Sequence, residues 1–283
     1  MKKRLIQFTQ KTVGFYFNLL AYLNPKLLAK KGFYLFCNPM KQKLKPHQFD
    51  FLATGKDTVI PLEKNQIQTY KWGNGTKKVL LVHGWASHTF RWKSYIKKLV
   101  ENDFTVYAFD APAHGLSSGK MLHVALYSDA INLVIQANKE IEHIISHSIG
   151  GFATTYWLKN KEKNTTENIK KIVIMGAPGE ANDFFDFYEK ILGLSHKAKH
   201  IIITEFTKTL KNEPSYFSTS KFAKEITTDC LIIHDEEDKD TNPNYSIQLN
   251  KNWKNSKLIL TNGLGHNLKS KALEDKVLDF LVN

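Results

Sequence analysis

Cysteine and arginine are scarce in this 283-residue chain, and each scarcity excludes something. Its two cysteines, Cys37 and Cys230, stand far apart, and Cys230 lies inside an apolar run. That rules against a disulfide framework and against a zinc site built on cysteine spacing. Buried, reduced thiols suit a cytoplasmic protein, with export or peripheral membrane attachment as the alternatives. Arginine occurs only at Arg4 and Arg91, although the formal net charge is +13. Specific recognition of phosphate and guanine favours the planar guanidinium. Lysines scattered among Asn, Asp and Glu read instead as solvated surface, so no specific nucleic-acid partner is expected.

Long apolar runs are missing too. The N-terminus opens Met1-Lys2-Lys3-Arg4 and continues into the apolar stretch Val13 to Leu23, a partial likeness to a secretory signal. Asn18 interrupts that stretch, Gln7, Gln10 and Lys11 precede it, and Asn24-Pro25-Lys26 follows with no small-x-small cleavage site. The run also falls short of the ~20 apolar residues that span a bilayer. Residues 1–46 are therefore expected as a helical extension packed on the rest of the protein, with contact to a membrane surface as the second reading. No internal repeat or low-complexity tract is evident.

What the chain does have is an ordinary globular composition, 42% hydrophobic and 24% charged, and a repeated order of elements. Strand-like runs occur at Gln66 to Trp72, Lys78 to Val82, Phe104 to Phe109, Ile141 to Ile145, Ile172 to Met175, Cys230 to Ile233 and Leu258 to Leu260. Helical patterns such as Trp92 to Val100 and Val124 to Ile135 lie between them. This alternation predicts an α/β fold, a mainly parallel, doubly wound sheet over residues 47–283. The connection from Met175 to Cys230 is too long for one crossover helix. It carries Phe184, Phe187, Tyr188, Ile191 and Leu192 at helical spacing, then Ile202, Phe206, Leu210, Phe217 and Phe222. A small helical lid over about 179–227, after the sixth strand, is expected to contribute to an apolar substrate pocket.

The stretch Ile145-Ser146-His147-Ser148-Ile149-Gly150-Gly151 stands where a strand-like run becomes a helix. A nucleophile on such a corner needs small residues two before and two after it, because the backbone folds tightly around it. Ser146 and Gly150 meet that need around Ser148. A serine hydroxyl becomes nucleophilic only when a base takes its proton and a carboxylate orients the base. Candidates follow later strands: the acidic loop His234-Asp235-Glu236-Glu237-Asp238, with Asp240 beyond it, and the loop Asn262-Gly263-Leu264-Gly265-His266.

With these motifs the chain resembles the α/β-hydrolase family from His83-Gly84-Trp85 through Phe280. His83-Gly84-Trp85 is similar to that family's H-G-x segment, and Asp110-Ala111-Pro112-Ala113-His114-Gly115-Leu116-Ser117 to its D-x-P-G-H-G-x-S loop. Asp238 falls at the acid position of H-G-x-x-D, and His266, closing the loop Gly263-Leu264-Gly265-His266, at the family's histidine position after the last strand. Ser146, Ala113 and Asp235 stand where the family pattern has glycine. The resemblance implies the α/β-hydrolase fold, with Ser148 as nucleophile, His266 as general base and acid, and Asp238 as the orienting carboxylate. Asp235, Glu237 and Asp240 compete for that last role. The backbone amides of Trp85 and Ile149 are the implied oxyanion donors. His83, His114 and His147, with Asp110 and Ser117, are expected in loop and core roles.

A serine at the elbow points to acyl transfer, a chemistry that requires no metal or organic cofactor, and none is expected. The favoured substrate is a small-molecule ester with an apolar acyl group. A peptidase, thioesterase or acyltransferase could use the same triad, and a non-catalytic binding protein could keep the fold.

Overall fold

The computed structural model describes residues 2–160 and 167–283. They form two compact units, a body (Pro39–Gly179 with Thr219–Asn283) and a helical unit (Met1–Asn38 with Glu180–Ser218).

The body is built on an eight-stranded sheet: β1 (Lys56–Leu62), β2 (Asn65–Trp72), β3 (Lys77–Val82), β4 (Phe104–Phe109), β5 (His143–His147), β6 (Lys171–Met175), β7 (Asp229–Asp235) and β8 (Ser256–Thr261). The spatial order is β1-β2-β4-β3-β5-β6-β7-β8. β1 pairs antiparallel with β2 and β2 with β4; from β4 through β8 all pairings are parallel. The mainly parallel sheet expected from the alternation is thus present. Its central strands read as continuous apolar runs because both faces are covered. Val79 and Leu81 of β3 join a cluster with Ile96 and Leu99 of α4 (Lys93–Glu101) and Val277 and Leu281 of α11 (Lys271–Val282). Val82 and Ile174 point the other way, toward Gly150 and Gly151 of α6 (Ile149–Asn160), which is partnered by α5 (Val124–Ala137).

Two strand readings differ from the sequence. β1 was not anticipated, and the run placed at Ile141 to Ile145 forms a strand two residues later, at His143–His147. The shift matters, because the strand then ends directly against Ser148.

The helical unit joins stretches that the sequence treats separately. α1 (Lys2–Leu23) and α2 (Pro25–Cys37) pack with α7 (Ala181–Leu192) and α8 (His196–Leu210). Asn24 caps α2 by accepting the Leu27 amide, and Pro25 occupies the first helical position, where its missing N–H costs nothing. Phe36 stacks on Phe185 at 4.3 Å, Phe185 meets Phe206 edge-on at 5.1 Å, and Phe206 meets Phe217 at 5.4 Å. Phe185 is the buried aromatic of α7, whereas Phe187 is exposed. At Gly14 a Cβ would lie 1.9 Å from the Leu192 carbonyl oxygen, so only glycine lets α1 approach α7 this closely. Asn18, the polar interruption in the N-terminal apolar stretch, binds the turn between α7 and α8: it donates to the Gly193 carbonyl and accepts from the Ser195 amide.

Where the chain leaves and re-enters the body, the Thr219 amide donates to the Gly179 carbonyl at 3.0 Å. Among the described residues no helix is long and apolar enough to cross a membrane.

Candidate active site

In open parallel sheets, ligands are met outside the carboxyl ends of the strands. Ser148, Asp238 and His266 all lie there, just after β5, β7 and β8. Ser148 adopts φ +54°, a left-handed conformation that costs a non-glycine residue about 1–3 kcal/mol. The strain is held by bonds on both sides. The Ser148 amide donates to the Met175 carbonyl, and its carbonyl accepts the Gly151 amide at 2.8 Å and the Phe152 amide at 3.2 Å as α6 begins.

The small-residue requirement of the corner is visible at each flank. A Cβ on Gly150 would stand 2.4 Å from the His83 carbonyl oxygen, and one on Gly84 2.9 Å from the Ser148 Cβ. Ser146, in place of the family's glycine, is fully buried with its hydroxyl donating to the Val173 carbonyl at 3.0 Å.

His266 Nε2 lies 3.0 Å from Ser148 Oγ, and its Nδ1 lies 2.8 Å from Asp238 Oδ2. Because an ionised carboxylate only accepts, His266 carries its proton on Nδ1 and leaves Nε2 free to accept from the serine. Asp238 is buried but richly bonded. Its Oδ1 accepts the amides of Asp240 and Thr241, and its Oδ2 also accepts the Thr241 hydroxyl and meets His234 Nε2 at 3.2 Å. Burial acts to raise this carboxyl. Hydrogen bonds from His234, His266 and the two amides outweigh it and hold the group well below the usual carboxylate range, so it stays ionised.

The competing acids have other surroundings. Asp235 is buried, and its Oδ2 accepts the Thr261 hydroxyl and the Leu264 amide, tying the end of β7 to the loop that carries His266. Glu237 and Asp240 are exposed. Asp238, Asp240 and His266 can each bring one ligand atom to within 4.8 Å of the others, but both Asp238 oxygens are already engaged within the protein.

The loop after β3 is braced by the two histidines of the early motifs. His83 accepts the Ala111 amide on Nε2 and donates from Nδ1 to the Gly84 carbonyl; His114 accepts the Ala86 amide on Nε2 and donates to the Pro112 carbonyl. Asp110 accepts the Thr89 and Leu116 amides, and Ser117 donates to the Asp110 carbonyl. As the first residue of α6, Ile149 has no acceptor for its amide within the helix. Among the described residues neither the Ile149 nor the Trp85 amide donates to a backbone carbonyl. The Trp85 side chain is 40% exposed and lies edge-on to His114.

Four residues escape a reading of the sequence. Thr241 and His234 complete the shell around Asp238, and the Thr241 hydroxyl also reaches the Gly176 carbonyl. Gly176 lies beside the pair at φ +57°, a left-handed conformation that favours glycine, although a Cβ there would stand at an ordinary contact distance of 3.6 Å from Asp238 Oδ2 and His266 Nδ1. Arg91 is the fourth. Its Nη1 donates to His147 Nδ1 at 2.9 Å and its Nη2 to the Asn267 carbonyl at 3.2 Å, while the guanidinium lies over the Trp92 ring. His147 Nε2 donates in turn to the His266 carbonyl at 2.7 Å. Burial, and then the neighbouring Arg91 charge, lower His147 well below the ordinary histidine range, so it is neutral and can accept from the arginine. Burial also pushes Arg91 down to about 10, which leaves it charged at neutral pH. One cation, directly and through His147, thus holds the two successive carbonyls of His266 and Asn267, just after the His266 side chain. The clue in the sequence was an arginine standing alone among lysines beside Trp92.

Residues 73–221 match the model of a family described as serine aminopeptidase, S33. No curated protein matches the chain. Among solved structures it is similar to a bromoperoxidase from Bacillus anthracis (19% identity, TM-score 0.63, 81% of this chain and 100% of that one). An esterase from Exiguobacterium antarcticum is similar at 16% identity (TM-score 0.63, 81% and 100%), and a monoacylglycerol lipase from Paleococcus ferrophilus at 19% (TM-score 0.60, 76% and 98%). At these identities the likeness speaks for the fold alone.

Proposed function

The chain belongs to the serine aminopeptidase S33 family of α/β hydrolases, and from that membership we propose that it is a serine hydrolase cleaving a carboxylic ester through an acyl-enzyme. The observation that carries the reading is the unbroken series of contacts from buried Asp238 through His266 to strained Ser148. In this mechanism Ser148 Oγ attacks the ester carbonyl as His266 Nε2 takes its proton. The ionised Asp238 stabilises the imidazolium. The developing oxyanion is received by the amides of Ile149 and Trp85, which have no competing backbone acceptor. His266 then returns the proton to the leaving alkoxide. It next activates a water that releases the acid and restores Ser148.

The half-exposed Trp85 indole, next to Gly84 and hence to the nucleophile, favours an apolar acyl group. The helices inserted between β6 and β7, α7 and α8, serve in this reading as the lid. Turnover of aryl esters of graded acyl length tests the proposal, with Ser148→Ala as control. Hydrolysis that falls to background in the variant is expected; a folded wild-type protein with no turnover of any ester overturns it.

One feature favours amide cleavage as a second reading. An open groove of about 850 Å3 beside His266 is lined by Glu236, Glu237 and Asp240 as well as by Lys239, so its exposed carboxylates outnumber its ammonium. Such a lining suits the free amine of an aminoacyl substrate. Aminoacyl arylamides turned over faster than aryl esters, with a raised KM in Glu237→Gln/Asp240→Asn, would establish it. An added alcohol acceptor that diverts the acyl group from water would instead mark an acyltransferase.

A further inference from the structure

The helical unit carries an apolar face that its own packing leaves uncovered. α1 buries Gly14, Phe17, Leu20 and Ala21. Its opposite side presents Leu5, Phe8, Phe15, Leu19 and Leu23 at helical spacing, and every one of them is exposed: Phe8 is 71%, Phe15 72% and Leu23 72% exposed. A soluble helix ordinarily shows charged and polar side chains on that side. A contiguous apolar patch on a surface marks a place of contact.

The surroundings of the stripe identify the partner. Residues 1–38 contain Lys2, Lys3, Arg4, Lys11, Lys26, Lys30 and Lys31, and the first acidic residue of the chain is Asp50. The stripe is edged on its two sides by Tyr16 and Tyr22, and each ring carries a lysine. The Lys31 ammonium stands 5.4 Å from the Tyr16 centroid, and the Lys197 ammonium stands 4.0 Å from that of Tyr22. An apolar centre with amphipathic tyrosines and cations at its rims is the arrangement that enters the headgroup boundary of a bilayer, with the helix lying in the plane. A second copy of the chain fits poorly, because a self-complementary contact across this face would set its basic rims against the basic rims of the other copy. α1 is not apolar enough to cross a membrane.

We propose that the outward face of α1 docks the protein on an anionic lipid surface, with Phe8 and Phe15 inserted among the acyl chains and Arg4, Lys31 and Lys197 against acidic headgroups. This goes beyond the hydrolase reading and does not depend on it.

Co-sedimentation of the full chain with phosphatidylcholine vesicles, with and without phosphatidylserine, tests the proposal. Binding is expected only with phosphatidylserine and is expected to weaken as salt shortens the Debye length. Phe8→Ser/Phe15→Ser should weaken it by about tenfold or more, and Arg4→Glu/Lys31→Glu by roughly fivefold or more per charge. Both variants alter exposed positions, so the melting temperature should hold. Any of three results overturns the proposal: no binding at low salt, binding undiminished in Phe8→Ser/Phe15→Ser, or a wild-type dimer that this variant dissociates while lipid binding persists.

Discussion

The two units break the ordinary rule of inside and outside in opposite ways. In the body, charged and polar groups are buried: Asp238, Asp235, His83, His147 and His234 all lie inside the protein. In the helical unit, phenylalanine and leucine stand outside on α1. The first departure is stable because every group named has partners. Asp238, for example, accepts two amides, a hydroxyl and an imidazole. The second is an apolar surface that remains in water. Burial with partners builds a site whose charge state is fixed in advance, whereas exposure of apolar surface leaves a contact to be made.

Altering the buried network should produce the largest effects. Asp238→Asn keeps the shape but can donate to His266 Nδ1, favouring the wrong tautomer, and kcat for an aryl ester should fall by about 10^4-fold with the melting temperature little changed. A fall of less than tenfold would remove Asp238 from the reaction. Arg91→Met should cost less. It releases the His147 ring and the Asn267 carbonyl and lets the His266 loop drift, so kcat should fall by up to about a hundredfold while KM holds. Arg91→Lys should restore part of the loss by supplying one donor. Equal loss in both kcat and KM would show that Arg91 supports folding rather than the position of His266.

A smaller effect concerns acid stability of the body. Burial lowers His123 and His143 to about 4 each. Both are neutral in the folded protein and free to protonate when unfolded. Their contribution is therefore complete above the unfolded histidine value near 6.5 and is lost as pH falls toward 4, by about 2–3 kcal/mol each. Urea midpoints measured across that window should drop, and His143→Gln should flatten the slope; an unchanged slope would refute the assignment. The smallest effect lies in the other unit. Phe8→Ser/Phe15→Ser should leave turnover of a soluble ester unchanged, because it removes only the outward face.

The amino-acid pattern made legible what depends on local order. Continuous apolar runs, with one alternating run at Gln66 to Trp72, located seven of the eight strands, and the resemblance to the α/β hydrolases singled out Asp238 and His266, which the fold brings within 3.0 Å of one another. β1 escaped because Lys56–Leu62 is an edge strand, largely exposed and broken by Pro61, and its turn at Glu63 and Lys64 has no glycine or asparagine to mark it. The sequence reading ends β5 two residues early because Ser146 and His147 look polar; in the fold they pair with β6, and their side chains are satisfied by Val173, Arg91 and the His266 backbone. Gly176 and Arg91 reach the site through contacts between distant segments, which no local pattern encodes, and Thr241, three residues after Asp238, also ties that loop to the distant Gly176. The pairing of residues 1–38 with 180–218 is of the same kind, visible only when Phe36 is seen to stack on Phe185.

The proposed hydrolase chemistry requires that Ser148 be made nucleophilic by His266 and Asp238. Labelling by a fluorophosphonate, read as a mass increase on the peptide that contains Ser148, tests it most directly. One adduct on Ser148 is expected in the wild type, none in Ser148→Ala, and a strongly slowed reaction in His266→Ala. A folded wild-type protein that stays unlabelled, or that is labelled on another residue, would contradict it.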